Sequence, residues 1–252
     1  MEQVRPAVLV FAGLDPSGGA GISADIEAIA AQGAHALPVV TALTVQDNNR
    51  VHEVVPVDAA LLERQAALLA AAIPVRAVKL GIPGSRANAA AIARVIGRLR
   101  EQLPGLPVVL DPVLASGHGD PLARGNALSA LEPLLPLATV LAPNLPETAA
   151  LGASGCPHVL VTGGHADGAT VVNRWHSAQG MREWSWPRLP GQFHGSGCTL
   201  ASAIAARLAL GEAMADALEN AQRYTHAALA QSYAIATGQR IPMRQPILTK
   251  ES

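Results

Sequence analysis

Ala7-Val8-Leu9-Val10-Phe11-Ala12 runs into Gly13-Leu14-Asp15-Pro16-Ser17-Gly18-Gly19-Ala20-Gly21 and then into Ile22-Ser23-Ala24-Asp25-Ile26-Glu27-Ala28-Ile29. Six apolar residues bounded by a glycine loop read as a strand buried on both faces. Ile22, Ile26 and Ile29 then recur at helical spacing, so Gly21–Gln32 reads as a helix carrying that apolar face. A buried strand, a glycine turn and a helix form the opening half of a parallel crossover unit.

The same rhythm continues outward. Leu37–Thr41 and Val51–Val57 read as strands, and Asp58 as the N-cap of a helix over Ala59–Ala72 that Pro74 ends. Ala77–Leu80 is a short strand, Ser85 caps a helix over Arg86–Leu103, and Pro107–Asp111 is a strand entering a glycine-rich loop. A helix around Asn126–Leu135 and strands at Thr139–Ala142 and Val159–Thr162 follow. Ala169–Arg174 and Met181–Trp186 read as an antiparallel pair, and Gly197–Leu210 and Ala213–Ile235 as helices. The expected class is α/β, with a large mostly parallel sheet covered by helices on both faces. With no internal repeat, linker or low-complexity tract, residues 1–252 read as one domain.

Composition narrows the function. Half of the 252 residues (50%) are hydrophobic, which excludes a disordered chain. Lys plus Arg is 18 and Asp plus Glu 19, giving a net charge of −1 and no basic excess for nucleic acid. Only two of the cations are lysines, Lys79 and Lys250, against sixteen arginines. No Gly-Lys pair exists, so a Walker P-loop is excluded. No apolar run approaches the ~20 residues of a membrane span, and no secretory leader is recognisable. Cys156 and Cys198 lie far apart without a CxxC, which points to free thiols and a cytoplasmic location.

Ligands of such sheets bind outside the carboxyl ends of the strands. The strongest motif there is His194-Gly195-Ser196-Gly197-Cys198-Thr199, leading into an alanine-rich helix. Small residues let backbone N–H groups approach an anion, and the helix dipole adds partial positive charge. A phosphate is the natural guest, and the same field would lower the thiol pKa of Cys198. A tight turn with a packed cysteine accounts for the segment equally well. Asp111 ends one strand, and Asn144 and Glu147 follow another. Carboxylates facing a phosphate loop can hold Mg²⁺, and Asp111 and Asn144 also suit turns and caps. Gln46 can recognise a flat heterocycle with its paired donor and acceptor, or serve as a solvated loop residue. Gly19-Ala20-Gly21-Ile22-Ser23-Ala24 matches a dinucleotide fingerprint, but no acidic residue ends the second strand to support a dehydrogenase.

The ordered segments AGLDPSGGAGISADIEA, TALTVQDNNRV, VVLDPVLASGHGDPL, LAPNLPET, VLVTGGH and HGSGCTLASAIA resemble the hydroxymethylpyrimidine/phosphomethylpyrimidine kinases of thiamine biosynthesis. That family is ribokinase-like, and the resemblance runs from about Val8 to Leu210. It implies a three-layer αβα sandwich, usually in a homodimer, and two ATP-dependent phosphorylations of 4-amino-5-hydroxymethyl-2-methylpyrimidine. By the resemblance, the pyrimidine lies near Gly13, Asp25, Gln46, Ile82 and Val113. Asn144 and Glu147 fall on the family's N-x-x-E element for Mg²⁺ and phosphates, with Asp111 a second metal candidate. Gly195, Ser196 and Gly197 fall on its anion hole, and Cys198 on its catalytic cysteine.

Two positions depart from the pattern. Thr162 replaces a lysine associated with the nucleotide phosphates, and no other lysine stands nearby in sequence. His118 replaces a usual Ser or Thr. Lys79, beside Gly81 at a strand end, is either structural or part of the site. The rivals are a pyridoxal kinase of the same fold and a non-catalytic pyrimidine-binding regulator.

Overall fold

The computed structural model describes residues 4–115, 119–120, 122 and 126–245, so the His118 expectation lies outside the described residues. Nine strands form one sheet: β1 (Ala7–Leu14), β2 (His35–Gln46), β3 (Val51–Pro56), β4 (Val75–Leu80), β5 (Val108–Leu110), β6 (Val140–Leu141), β7 (His158–Val161), β8 (Thr170–Ser177) and β9 (Gly180–Pro187). Their order is β3-β2-β1-β4-β5-β6-β7-β8-β9. The six strands from β2 to β7 in that order are parallel, while β3 at one edge and β8 and β9 at the other are antiparallel.

The two-residue period of a strand divides β1 between two cores. Ala7, Leu9 and Phe11 pack under α2 (Ala59–Ala72), α3 (Arg86–Gln102) and α4 (Ala127–Leu131). Val8, Val10 and Ala12 pack under α1 (Gly21–Ala31), α6 (Ser196–Ala209) and α7 (Met214–Ala230). The result is the three-layer arrangement expected from the sequence. The small side chains of Ala201, Ala203, Ala205 and Ala206 are fully buried, which lets α6 lie close between α1 and α7. Asp58 and Ser85 cap α2 and α3 as expected, accepting from Leu61 N–H and Asn88 N–H.

Three elements differ from the sequence reading. The helix expected around Asn126–Leu135 is a five-residue helix followed by a 3₁₀ turn at Leu135–Leu137, with Pro133 and Pro136 in the segment. The last helix ends at Ala230, and Tyr233 then bridges Ile241 as the chain turns back. In α1, Ile22 and Ile29 are buried, but Ile26 is 41% exposed. The inward position between them is Asp25, at 0% exposure. A charged residue on the core face breaks the apolar periodicity, and an apolar residue beside it completes a false one.

Candidate active site

The loops leaving the carboxyl ends of the parallel strands enclose a cleft of about 650 Å³. Of the residues expected there, Gly13, Gln46, Ile82, Val113, Asp111, Asn144, Glu147, Thr162 and Gly195–Cys198 all line it. Asp25 does not.

Strand alternation explains what Asp25 does. In β4, Val78 and Leu80 enter the α2–α3 core, so Ala77 and Lys79 point to the α1–α6 side. Asp25 on α1 and Ser202 on α6 meet Lys79 there. Lys79 Nζ lies 2.7 Å from Asp25 Oδ1, and Ser202 Oγ donates to the same oxygen at 2.7 Å. Both charged side chains are wholly buried. Burial alone would lower the Lys79 pKa, but Asp25, Cys198 and Asp111 hold it above the ordinary value. Asp25, expected near the pyrimidine, is therefore the counter-ion of Lys79 behind the cleft wall rather than a residue of the wall itself. Lys79 itself reaches the cleft floor beside Gly81, where a Cβ would sit 3.2 Å from Nζ.

The anion loop forms the neighbouring wall. Gly195 is the N-cap of α6 in a left-handed conformation (φ 79°), which only glycine adopts without strain. The N–H groups of Gly195, Ser196 and Gly197 make no backbone hydrogen bond among the described residues. These are the free donors of a helix start. Gly197 faces Asp111, whose carboxylate oxygens would lie 3.5 Å from a Cβ there.

Cys198 departs from the expectation of a lowered thiol pKa. Burial, with the charges of Asp111 and Asp25, pushes it up to about 12, against the pull of Lys79. The helix dipole is worth about 0.3–1 kcal/mol at an exposed terminus, too little to offset burial between carboxylates.

Asp111 and Glu147 are the second electrostatic feature. Burial, with Asp25 nearby, raises Asp111 to about 6 even though Lys79 opposes the shift. Burial and the charge of Asp111 raise Glu147 to about 7. Asn144 and Glu147 form a capping box on α5 (Leu145–Leu151): Glu147 N–H donates to Asn144 Oδ1 and Asn144 N–H to Glu147 Oε2, each at 2.9 Å. The cap and the site thus share one motif. Asp111 Oδ2 is buried with no hydrogen-bond partner. An orphaned carboxylate oxygen next to a second carboxylate is what a hard divalent cation would satisfy. No group of three or more His, Cys, Asp or Glu side chains could hold a metal among the described residues. Two carboxylates suit Mg²⁺, which usually keeps waters and substrate phosphates as its other ligands.

Asp15 did not stand out in the sequence, yet it organises the acceptor end. Its carboxylate accepts from Ser17 N–H, Ser17 O–H and Ala20 N–H, and lies 2.7 Å from His194 Nε2. Burial opposes ionisation, but His194, Ser17 and Gln46 hold the Asp15 pKa down at about 2. The legible signal was Asp15-Pro16-Ser17-Gly18-Gly19, a turn in which an Asp side chain bonds the backbone ahead of it.

The far end of the cleft was not foreseen. Trp186 stacks on His226 with ring centroids 5.4 Å apart, close to Leu200 and Leu229. Thr162 turns its hydroxyl to Pro143 O at 3.4 Å. The cation beside that loop is Arg188, which donates to Gly168 O, Gly164 O and Ala166 O at 2.6, 2.9 and 2.5 Å. A search for a neighbouring lysine could not find it, because Arg188 comes from the chain beyond β9.

The model of the family described as phosphomethylpyrimidine kinase matches residues 15–243. The hydroxymethylpyrimidine/phosphomethylpyrimidine kinase of Rhizobium meliloti is 35% identical, over 92% of this chain and 93% of that protein. Bacillus subtilis pyridoxal kinase, solved as an ADP complex, superposes with a TM-score of 0.83 at 26% identity, over 96% of this chain and 98% of that one. A phosphomethylpyrimidine kinase from Clostridium difficile superposes with a TM-score of 0.74 at 29% identity, over 88% and 98%. The fold is that of the ribokinase-like kinases, and the chain belongs to the phosphomethylpyrimidine kinase family.

Proposed function

We propose that this chain transfers the γ-phosphoryl group of ATP to the 5-hydroxymethyl of 4-amino-5-hydroxymethyl-2-methylpyrimidine. It then phosphorylates the monophosphate to the diphosphate, as a single cytoplasmic kinase domain in thiamine biosynthesis. The observation that carries the reading is one cleft lined by the Gln46 amide, the anion loop and two carboxylates. Gln46 lies near Asp15 and helps hold its carboxyl down. The N–H donors and carbonyl oxygen of its amide can meet a ring edge. An aminopyrimidine offers the matching pair, an exocyclic N–H donor next to a ring-nitrogen acceptor. Ile82, against Gly13, and Val113 supply the apolar faces.

Phosphoryl transfer needs alignment and charge compensation more than covalent chemistry. The Gly195–Cys198 N–H groups take up charge on the transferring phosphoryl oxygens. Glu147 and Asp111 would hold Mg²⁺, with Asp111 Oδ2 as the unpartnered ligand. A cation held there would supply the charge that offsets the polyphosphate and Asp111, one of the carboxylates that with burial raise the Cys198 pKa. Cys198 serves as base only as its thiolate, which Lys79 favours: once the thiol proton has passed to solvent, Sγ takes the proton of the acceptor hydroxyl and returns to the thiol. The nucleobase lies against Trp186, Leu200 and Leu229, with its phosphates past Asn144 and Thr162.

The pyridoxal kinase neighbour supports a second reading, a pyridoxal acceptor at the same amide. Incubation with Mg-ATP and each of hydroxymethylpyrimidine, its phosphate and pyridoxal decides between them by product mass. One and two added phosphates on the pyrimidine are expected, and transfer to pyridoxal alone would overturn the assignment. We also propose a homodimer. Leu43 and Val55 pair across β2–β3 and, with Val45, are 50%, 45% and 53% exposed on one edge hairpin. Sedimentation should give a dimer, and charged substitutions at Leu43 and Val55 should give monomers.

A further inference from the structure

Arg244 reaches the anion loop from the C-terminal segment, one residue beyond the family match that ends at Met243. Two bonds to α7 deliver it there. Met243 N–H donates to Ala228 O at 2.9 Å, and Tyr224 O–H donates to Arg244 O at 2.8 Å. The guanidinium is wholly buried. Its Nη2 donates to Gly19 O and, at 3.5 Å, to His194 O. Its Nε donates to Thr199 Oγ1 at 2.8 Å, and Thr199 Oγ1 in turn donates to Gly195 O at 2.8 Å. Only Nη1 turns outward, to Glu27 Oε2 at 3.1 Å. A Cβ on Gly195 would lie 2.8 Å from Nη2, so the guanidinium fills the space directly behind the loop.

The carbonyls of His194 and Gly195 are thus both drawn to the rear of the loop. In a planar trans peptide the C=O and N–H point in opposite directions. Pinning those two carbonyls behind the loop therefore aims the Gly195 and Ser196 N–H groups forward, into the cleft. We propose that Arg244 is the positioning residue of the anion loop. It fixes the donors that meet the transferring phosphoryl group and places a buried positive charge behind them. This rests on the reading of Gly195–Cys198 as that loop. It also accounts for how a chain with threonine at position 162 supplies fixed positive charge at the phosphate.

The test uses the full chain with Arg244→Ala, Arg244→Lys, Thr199→Val and, as control, Glu27→Gln. Arg244→Ala should lose at least a hundredfold in kcat, with the KM for hydroxymethylpyrimidine within threefold of the parent. Arg244→Lys should recover at least tenfold of that loss, because the charge returns without the fork of donors. Added guanidinium ion at tens of millimolar should raise kcat of Arg244→Ala and leave the parent unchanged. Thr199→Val should lose at least tenfold in kcat, and Glu27→Gln less than twofold. A folded Arg244→Ala with kcat within threefold of the parent overturns the proposal. If Arg244→Ala does not fold, unchanged kcat in both Arg244→Lys and Thr199→Val overturns it. Thermal protection by Mg-ADP with and without aluminium fluoride separates this idea from the identity of the acceptor. Should the parent gain protection from the fluoride but phosphorylate no pyrimidine, the functional reading fails alone. Loss of that gain in the Arg244 variants would still support the positioning role, and its persistence would refute it.

Discussion

Replacing Lys79 by Met should leave the Asp25 carboxyl wholly buried with Ser202 as its remaining side-chain partner among the described residues. The two side chains are at 0% exposure and 2.7 Å apart, so no solvent screens the loss. Removing one member of such a pair costs about 3–5 kcal/mol. For a chain of this size that is a fall in Tm of about 6–20 °C. Removing both charges is a different perturbation, because a buried pair exchanged for neutral groups of similar volume is often close to neutral. The Asp25→Asn/Lys79→Met double variant should therefore return to within about 2 kcal/mol of the parent. Turnover should not return with stability, because Cys198 and Asp111 still lack their cation. We expect kcat in the double variant to stay at least tenfold below the parent. Urea denaturation of the four proteins gives the coupling energy, and steady-state kinetics on the same samples gives kcat. A double variant as unstable as Lys79→Met alone would refute the charge-pair argument. A double variant that regains both stability and full turnover would show that Lys79 has no part in the chemistry.

Asp15 gives a pH prediction. Its folded pKa of about 2 lies below the ordinary 3.8, so its contribution is present above pH 4 and is lost as pH falls towards 2. The stability difference between the parent and Asp15→Asn should shrink by about 2 kcal/mol over that window, and a constant difference in denaturation measurements would contradict the assignment. Asp15→Asn should also raise the pyrimidine KM, because the Asp15 carboxylate bonds Ser17, Ala20 and His194 beside Gln46 at that end of the cleft, and an effect confined to the KM for ATP would contradict that. With its pKa near 12, Cys198 in the free protein should alkylate roughly a thousandfold more slowly at pH 7 than an ordinary thiol; iodoacetamide labelling at the ordinary rate would refute the raised pKa. Cys198→Ala should keep pyrimidine affinity and lose turnover, and unchanged kcat would remove the cysteine from the chemistry. Arg188→Met should loosen the Gly163–Gly168 loop and raise the KM for ATP about tenfold, with a rise in pyrimidine KM instead counting against its placement.

Much of the site was legible in one dimension because it is built from loops with their own local chemistry. Gly195-Ser196-Gly197 starts a helix, and Asn144 and Glu147 close a capping box; both signals lie within a few residues. Gln46 ends β2, Ile82 and Val113 follow the ends of β4 and β5, and the sheet brings these ends together. The inward position of Asp25 was not legible because its neighbours Ile22, Ile26 and Ile29 suggested a complete apolar face without it. The cation beside the Thr162 loop was not legible because Arg188 arrives from the chain just beyond β9, outside the loop's own sequence. The ionisation of Cys198 was misread because a motif shows the helix start above the thiol and not the carboxylates beside it.

The sequence by itself determined the layers, the order of the elements, the loops that form the cleft and the family. Hydrophobic period, caps and turn residues are local properties, and each is satisfied within one element. Tertiary structure alone decided the electrostatics. Asp25 meets Lys79 across 54 residues, Asp15 meets His194 across 179, and Arg244 meets Gly19 across 225. No local pattern encodes such pairs, because a buried charge is set by what packs against it, and that is known only once the helices lie on the sheet.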